Sequence, residues 1–322
     1  DVEHFSGTLV ETSGSGTIDL QAGSGSVVAD AGRVETDGTG DIRILADQNV
    51  ILGGRISTPA DVSITATHGW IRDADGDSAV DVEAAGLRLN AAVGIGRLGG
   101  NANPIETIVQ TISGRAGSEG VNILETDGLI VDDVEAVVNQ VGSAGTTMEL
   151  VDASQSDLHT AVDSNGSIVV QTIDGDISLN DGTAPANELA LDADGEGHVR
   201  LEAGGSGSGV AIGAGIETGS GSMTLIAGGG IEFGGSADVH SDGGTIDLEA
   251  QGGSVIMADG TSVVTGGGNL RYVATQDVAL ARVDVGSGEV SVVADNGNIT
   301  DNGDSAEGIR AEAIRLVAAG NV

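Results

Sequence analysis

The chain has 322 residues, a formal net charge of −37 and no cysteine, and aromatic residues make up 1% of it. The charge excludes nucleic acid and anionic membranes as partners, because both would be repelled. The absence of cysteine excludes disulfides, thiolate metal sites and cysteine nucleophiles. Apolar residues still reach 39% and glycine occurs 55 times, a composition that favours short strands and tight turns over a disordered chain.

Short alternating runs of four to six residues recur along the chain, each bounded by Gly, Asn, Asp or Ser. Such runs are too short for typical helices and predict strands. They begin at Ile18, Ile42, Val62, Leu87, Val121, Met148, Ile168, Leu189, Met223, Ile246, Leu270, Val290 and Ile314. Most intervals are 20–27 residues. The fold predicted is all-β, a parallel β-helix (β-solenoid) of about 13–14 coils with 20–27 residues per coil.

Two other all-β architectures fit this spacing less well. A β-sandwich does not need so many near-equal repeats. A propeller blade repeats every 40–50 residues with aromatic signatures, which this chain lacks. No apolar run approaches the length that spans a membrane, so no membrane insertion is expected.

The alternation also predicts which side chains point into the solenoid. In IDL, IRI, VSI and LRL the outer two residues are apolar and the middle residue is polar. The side chains predicted to stack in the lumen are Ile18, Leu20, Ile42, Ile44, Val62, Ile64, Leu87 and Leu89. The outward positions between them are Asp19, Arg43, Ser63 and Arg88. Because coils lie about 4.8 Å apart, Asp19 and Arg43 should form an exposed ion pair that holds register.

An acidic turn, RDADGDSAVD (72–81), is the main candidate for a binding site. Its aspartates alternate around Gly76, and carboxylate oxygens suit Ca²⁺. The candidate calcium ligands, with two counterparts near residue 300, are Asp73, Asp75, Asp77, Asp301 and Asp304. The spacing fails the EF-hand pattern. A calcium site and a plain Asp/Gly-rich turn between coils are therefore both open.

One segment, 101–117, interrupts the regular spacing. Asn103 and Pro104 stand where a helix N-cap and first turn would be, and apolar residues follow at helical spacing. A short helix near 104–113 is predicted. The competing interpretation is an alternating strand that contains Ile105, Thr107 and Val109.

The chain contains a long duplication. GTIDL occurs at 16–20 and again at 244–248, and the similarity continues, so that 16–92 and 244–319 are two copies of one segment. Residues 1–92 are interpreted as the end of one solenoid repeat unit, and 93–322 as one complete unit of about 228 residues, continuous with the first. The outward order D, R, S, R recurs in the second copy as Asp247, Arg271, Ser291 and Arg315. The chain lacks an initiator methionine and is expected to be part of a longer protein.

The motif NPIET (103–107), followed by GVNILETDGLIVDDV (120–134), resembles that of large bacterial filamentous-haemagglutinin-like surface exoproteins. The resemblance implies a secreted or surface-displayed solenoid that acts as an adhesin stalk, spacer or filament segment. The partners it suggests are adjoining repeats, like subunits, and host or cell-surface glycans. The missing lysine and the high acidity depart from that family.

One alternative is a self-assembling extracellular filament subunit. The other is an enzyme, since some polysaccharide-active enzymes are β-helices. Sugar sites generally need aromatic platforms, and the four aromatic residues are dispersed at Phe5, Trp70, Phe233 and Tyr272. The histidines show no ligand spacing, and no G-x-S-x-G elbow is present. A structural, non-enzymatic role is therefore expected, with calcium as the one candidate cofactor.

Overall fold

In the computed structural model, which describes residues 3–4, 7, 9–235, 237–302 and 308–322, the chain winds into a parallel β-solenoid of about 13 coils. One continuous sheet contains 35 strands, and two further strands form a hairpin outside it. Each coil passes through three faces, which we name face I, face II and face III in chain order. The predicted parallel β-helix is confirmed.

The strands of the continuous sheet divide among these three faces. Face I contains Glu3–His4, Val27–Asp30, Val50–Gly53, Trp70–Asp73, Gly94–Ile95, Gly120–Glu125, Ile168–Thr172, Val199–Ala203, Met223–Ala227, Ile246–Ala250, Leu270–Ala274, Glu289–Ala294 and Ala313–Ala318. Face II contains Leu9–Thr12, Arg33–Thr36, Ile56–Ser57, Leu129–Val131, Ile177–Leu179, Val210–Ile212, Ile231–Phe233, Val255–Met257, Val278–Leu280 and Ile299–Asp301. Face III contains Ile18–Ala22, Ile42–Ala46, Asp61–Ala66, Leu158–Thr160, Leu189–Ala193, Gly215–Thr218, Asp238–Ser241, Ser262–Thr265, Arg282–Asp284 and Ile309–Arg310.

Five elements depart from this scheme. Val82–Ala91 and Ile105–Ala116 are long strands that bend round the coil and serve more than one face. Val134–Val141 and Thr147–Gln155 form the antiparallel hairpin. A 3-10 turn covers Gly99–Asn101.

The core is the lumen of the coil, filled by one side chain from every second position of each strand. Ile42, Ile44, Val62, Ile64, Leu87 and Leu89 are all 0% exposed, and Ile18 is 4% exposed. Leu20, in the first coil, is partly buried and packs against the same core. The predicted inward set is therefore confirmed, because period-two alternation leaves a β-strand only one apolar face.

Glycines let successive coils approach at one corner of the solenoid. A Cβ built on Gly221 would lie 1.7 Å from the carbonyl oxygen of Gly197, and one on Gly244 would lie 1.9 Å from that of Gly221. Gly268 continues the same stack onto Gly244. Only a residue without a side chain fits between backbones at this distance, which explains the regular glycine spacing.

The predicted helix near 104–113 is wrong. Residues 105–116 form a strand that pairs in parallel with Val82–Ala91, so that Thr107 faces Val82 and Ile112 faces Leu87. The side chains of Ile105, Thr107 and Val109 are buried, as the alternating-strand interpretation requires. The segment is rich in β-branched residues, and hydrogen bonds to the preceding coil favour the strand over an isolated helical turn.

The two copies of the duplication lie on different faces. Ile18–Ala22 is on face III, whereas its sequence equivalent, Ile246–Ala250, is on face I. Eight coil-to-coil steps along face III lead from Ile18–Ala22 to Asp238–Ser241, and Ile246–Ala250 is the next strand in the chain. The duplicated unit is therefore eight coils plus one face long. The sheet continues across residue 92, and the boundary between units 1–92 and 93–322 stays a prediction.

Candidate functional site

The acidic turn is held by hydrogen bonds to its own backbone. The Asp73 carboxylate accepts N–H bonds from Asp75 at 3.1 Å and Gly76 at 2.7 Å, and the Asn103 side-chain amide donates to it at 2.8 Å. The Asp77 carboxylate accepts the Ala79 N–H at 2.6 Å. These contacts are those of Asx turns, in which carboxylate oxygens satisfy backbone donors.

The structure does not bring the five candidate calcium ligands together. Asp73 ends a face I strand, whereas Asp301 ends a face II strand many coils further along. Asp304 lies outside the described residues. Within the described ranges, no group of three His, Cys, Asp or Glu side chains could hold a metal ion. Calcium binding by Asp75 and Asp77 stays a prediction.

Buried carboxyl groups lie beside this turn. Burial, reinforced by the charge of Asp73, raises the pKa of Asp81 to about 9, and burial raises the pKa of Glu106 to about 7. The Asp81 carboxylate accepts the Glu106 N–H at 3.2 Å. Burial also raises the pKa of Glu125 to about 7, and its carboxylate accepts bonds from Thr107 and from the Val109 N–H. The Asp81 and Glu125 carboxyls thus accept backbone N–H groups of another coil, which need a buried partner.

A cleft of about 390 Å³ brings a histidine and two aspartates together. His159 Nδ1 lies 3.0 Å from the Asp192 carboxylate of the next coil, a contact that fixes the imidazole tautomer. Burial raises the pKa of Asp157 to about 6, and one of its carboxylate oxygens has no hydrogen-bond partner. In the described part of the chain, no hydroxyl is hydrogen-bonded to His159, so a nucleophile–base pair is not assembled there.

The hairpin formed by 134–155 covers five coils of face III, and sequence reasoning missed it. The sequence predicts that the run beginning at Met148 is a strand of the solenoid coil. This prediction is wrong, because Met148 is 55% exposed and lies on the hairpin. The contacts show the hairpin lying along the rod axis and reaching back over earlier coils. The Asn139 N–H donates to the Thr17 hydroxyl, the Val137 N–H donates to the Asp41 carboxylate, and Gln155 bonds the Leu89 carbonyl.

Asp152 is the polar centre of this contact. Its carboxylate accepts a bond from Arg43 Nε at 2.9 Å and another from the Ser63 hydroxyl at 2.7 Å. Arg43 also bonds Asp19 at 3.0 Å, and the side chains of Arg43, Asp19 and Asp152 are only 12%, 8% and 16% exposed. Arg88 Nε donates to the Ala153 carbonyl at 3.1 Å.

The predicted pairing of Asp19 with Arg43 is confirmed, but their predicted exposure is wrong. The cause is the hairpin, which buries the pair and leaves Ser63 0% exposed. The signal available in the sequence was strand length. VEAVVNQV and TMELVDASQ are alternating runs of eight residues or more around the turn GSAGT, longer than the four to six residues of the coil strands, and such a pair indicates a hairpin.

No family model, curated protein or solved structure matches the chain. The resemblance to filamentous-haemagglutinin-like exoproteins therefore stays a prediction beyond its β-helical fold. In the described ranges no helix is long and apolar enough to cross a membrane.

Proposed function

We propose that the chain is a structural, non-enzymatic segment of an extracellular surface solenoid, in which it acts as a stalk or spacer. The observation that carries the proposal is the unbroken stack. Every coil is paired to the next on parallel ladders, and one apolar lumen runs through all of them. A quasi-one-dimensional stack forms a stiff rod, and each added repeat lengthens that rod.

The outer surface supports a structural role over an enzymatic one. The outward residues Asp247, Arg271, Ser291 and Arg315 repeat the first-copy order in parallel register on neighbouring coils, as a structural repeat does. The lining of the cleft at His159 contains no Phe, Trp or Tyr, whereas sugar sites generally stack their ligand on such side chains. The surface location rests on the resemblance of the NPIET segment to that of surface exoproteins.

A self-assembling filament subunit is the second candidate, and the parallel ladders of the stack favour it. Ala313–Ala318 pairs with Glu289–Ala294 in parallel register, as the coils before it pair with one another. In a filament, the first coil of another subunit would continue this ladder.

Electron microscopy of the purified chain over a range of concentrations, with calcium and with a chelator, tests both candidates. A stalk gives separate rods about 60 Å long, from about 13 coils at about 4.8 Å each. A filament subunit gives long fibres of one-coil width, and the charge introduced by I314E should disperse them into rods. A compact particle at all concentrations would contradict both candidates.

A further inference from the structure

We propose that face I between residues 245 and 315 is a docking groove for a β-hairpin of the same kind as 134–155, supplied by another copy of the repeat unit. The groove has a volume of about 460 Å³ and is open in the described part of the chain. It consists of the sequence equivalents of the residues that lie under the hairpin on face III.

The charged centre of the two surfaces is the same. Under the hairpin, neighbouring coils present Asp19, Arg43, Ser63 and Arg88 in parallel register. In the groove, neighbouring coils present Asp247, Arg271, Ser291 and Arg315 in that order and register. A hairpin carboxylate equivalent to Asp152 would find an arginine and a serine hydroxyl on adjacent coils, which are its two partners in the first copy.

The strand starts also correspond. Asp41 Oδ1 accepts the N–H of the next coil's Asp61, and its other oxygen binds the hairpin. In the groove, Asn269 Oδ1 accepts the Glu289 N–H in the same way, and this oxygen has a second lone pair for a hairpin donor. Thr245 supplies a hydroxyl equivalent to that of Thr17, and it is exposed.

The second surface differs in being uncovered. Arg271 and Asp247 are 46% and 40% exposed, whereas Arg43 and Asp19 are 12% and 8% exposed. Without a hairpin, Arg271 takes its second carboxylate contact from Glu249 at 3.4 Å, where the first copy has Asp152 at 2.9 Å. The uncovered side chains therefore retain partners that a docked carboxylate would displace or join.

A sequence difference between the two surfaces, Gly86 in the first copy and Ala313 in the second, limits the size of one side chain of the docked hairpin. A Cβ on Gly86 would lie 2.9 Å from Cγ1 of Val134, where the hairpin begins. The groove has Ala313 at that position. The occupant should therefore carry a residue smaller than valine at the position of Val134.

The position along the rod fits a following repeat unit. The hairpin 134–155 leaves its coil and reaches back over the preceding coils, including those of Thr17 and Asp41. A hairpin one unit further along the sequence would reach back over the coils of Thr245 and Asn269. Because the unit is eight coils plus one face long, successive hairpins would lie on different faces, each joining two repeat units.

Cysteine accessibility tests the proposal, because the chain has no cysteine of its own. Single-cysteine variants S63C and S291C report on the covered and the open surface. In the 322-residue chain, S291C should react with a thiol reagent at least about 100-fold faster than S63C, since burial under structure of about 3 kcal/mol local stability slows labelling by that factor.

The decisive experiment uses a tandem chain in which a second copy of residues 93–319 follows Ala319. The hairpin of the added copy carries V134A. S291C should then be protected at least about tenfold, and R271A or deletion of the added hairpin should restore its reactivity. Protection of S63C, introduced as the single cysteine of the same tandem chain, verifies that the solenoid has folded. A shorter extension with residues 93–203 serves if the long chain does not fold. If S291C reacts equally fast with and without the added hairpin in a folded chain, the proposal is overturned.

Discussion

The same Asp–Arg pair occurs twice in the rod, once covered and once open, and the two arginines should therefore differ in their effect on stability. R43A removes bonds to Asp19 and Asp152 from a site in which all three side chains are at most 16% exposed. Hydrogen bonds to charged groups contribute about 1.5–3 kcal/mol each, and breaking a shielded pair leaves carboxylates without a counter-charge. We expect R43A to lower the opening free energy of the hairpin by about 3 kcal/mol.

R271A is the matched control. Its partner Asp247 is the second-copy equivalent of Asp19, and Glu249 supplies its second carboxylate contact. Arg271, Asp247 and Glu249 are 46%, 40% and 32% exposed, and exposed pairs contribute about 0.2–1 kcal/mol. Amide exchange followed by mass spectrometry compares the two: R43A should speed exchange of 134–155 about 100-fold, whereas R271A should change exchange of Leu270–Ala274 less than about fivefold. Similar small effects of both substitutions would refute the reasoning that the hairpin shields the first pair.

Three further predictions concern the corner, the buried carboxyls and the acidic turn. G221A places a Cβ against the Gly197 carbonyl and should destabilise the rod by about 3 kcal/mol, whereas G243A, with open space around it, should change the melting temperature little. The raised pKa values of Asp81 and Glu106 mean that the fold favours their neutral forms; this stabilisation is complete below about pH 4 and is lost as pH rises through 7 to 9. The free energy of unfolding of D81N should therefore exceed that of wild type progressively more as pH is raised, by at least about 1 kcal/mol at pH 9, as denaturant unfolding at several pH values would measure. The calcium hypothesis predicts that calcium raises the melting temperature of the wild-type chain but not that of the double variant D75N/D77N. Calorimetry that finds no effect of calcium on the wild-type chain would refute the calcium hypothesis.

The coil was predictable because its determinants are local and repeated. Alternation at Ile42 and Ile44 places two apolar side chains on one side of a strand, and regular spacing stacks such strands. The pair His159–Asp192 could not be predicted, because 33 residues separate the two side chains in the sequence. Only the register of the coils shows that they are neighbours.

The segments that leave the coil could not be predicted in the same way. Residues 104–113 satisfy helix signals locally, and the strand forms because Val82–Ala91 offers backbone partners that lie outside the local sequence. The hairpin could be suspected from strand length, but its place on face III depends on contacts such as Asp152 with Arg43, 109 residues apart. Likewise, the exposure of Asp19 depends on a segment that a local pattern does not contain.

The length added by one repeat unit tests most directly whether the chain is a continuous structural rod. The unit comprises eight coils plus one face, so each added copy of 93–319 should lengthen the rod by about 40 Å at about 4.8 Å per coil. Electron microscopy of chains with no, one and two added copies should show a linear increase at constant width. A particle that grows in width, or separate particles joined by a linker, would contradict the account.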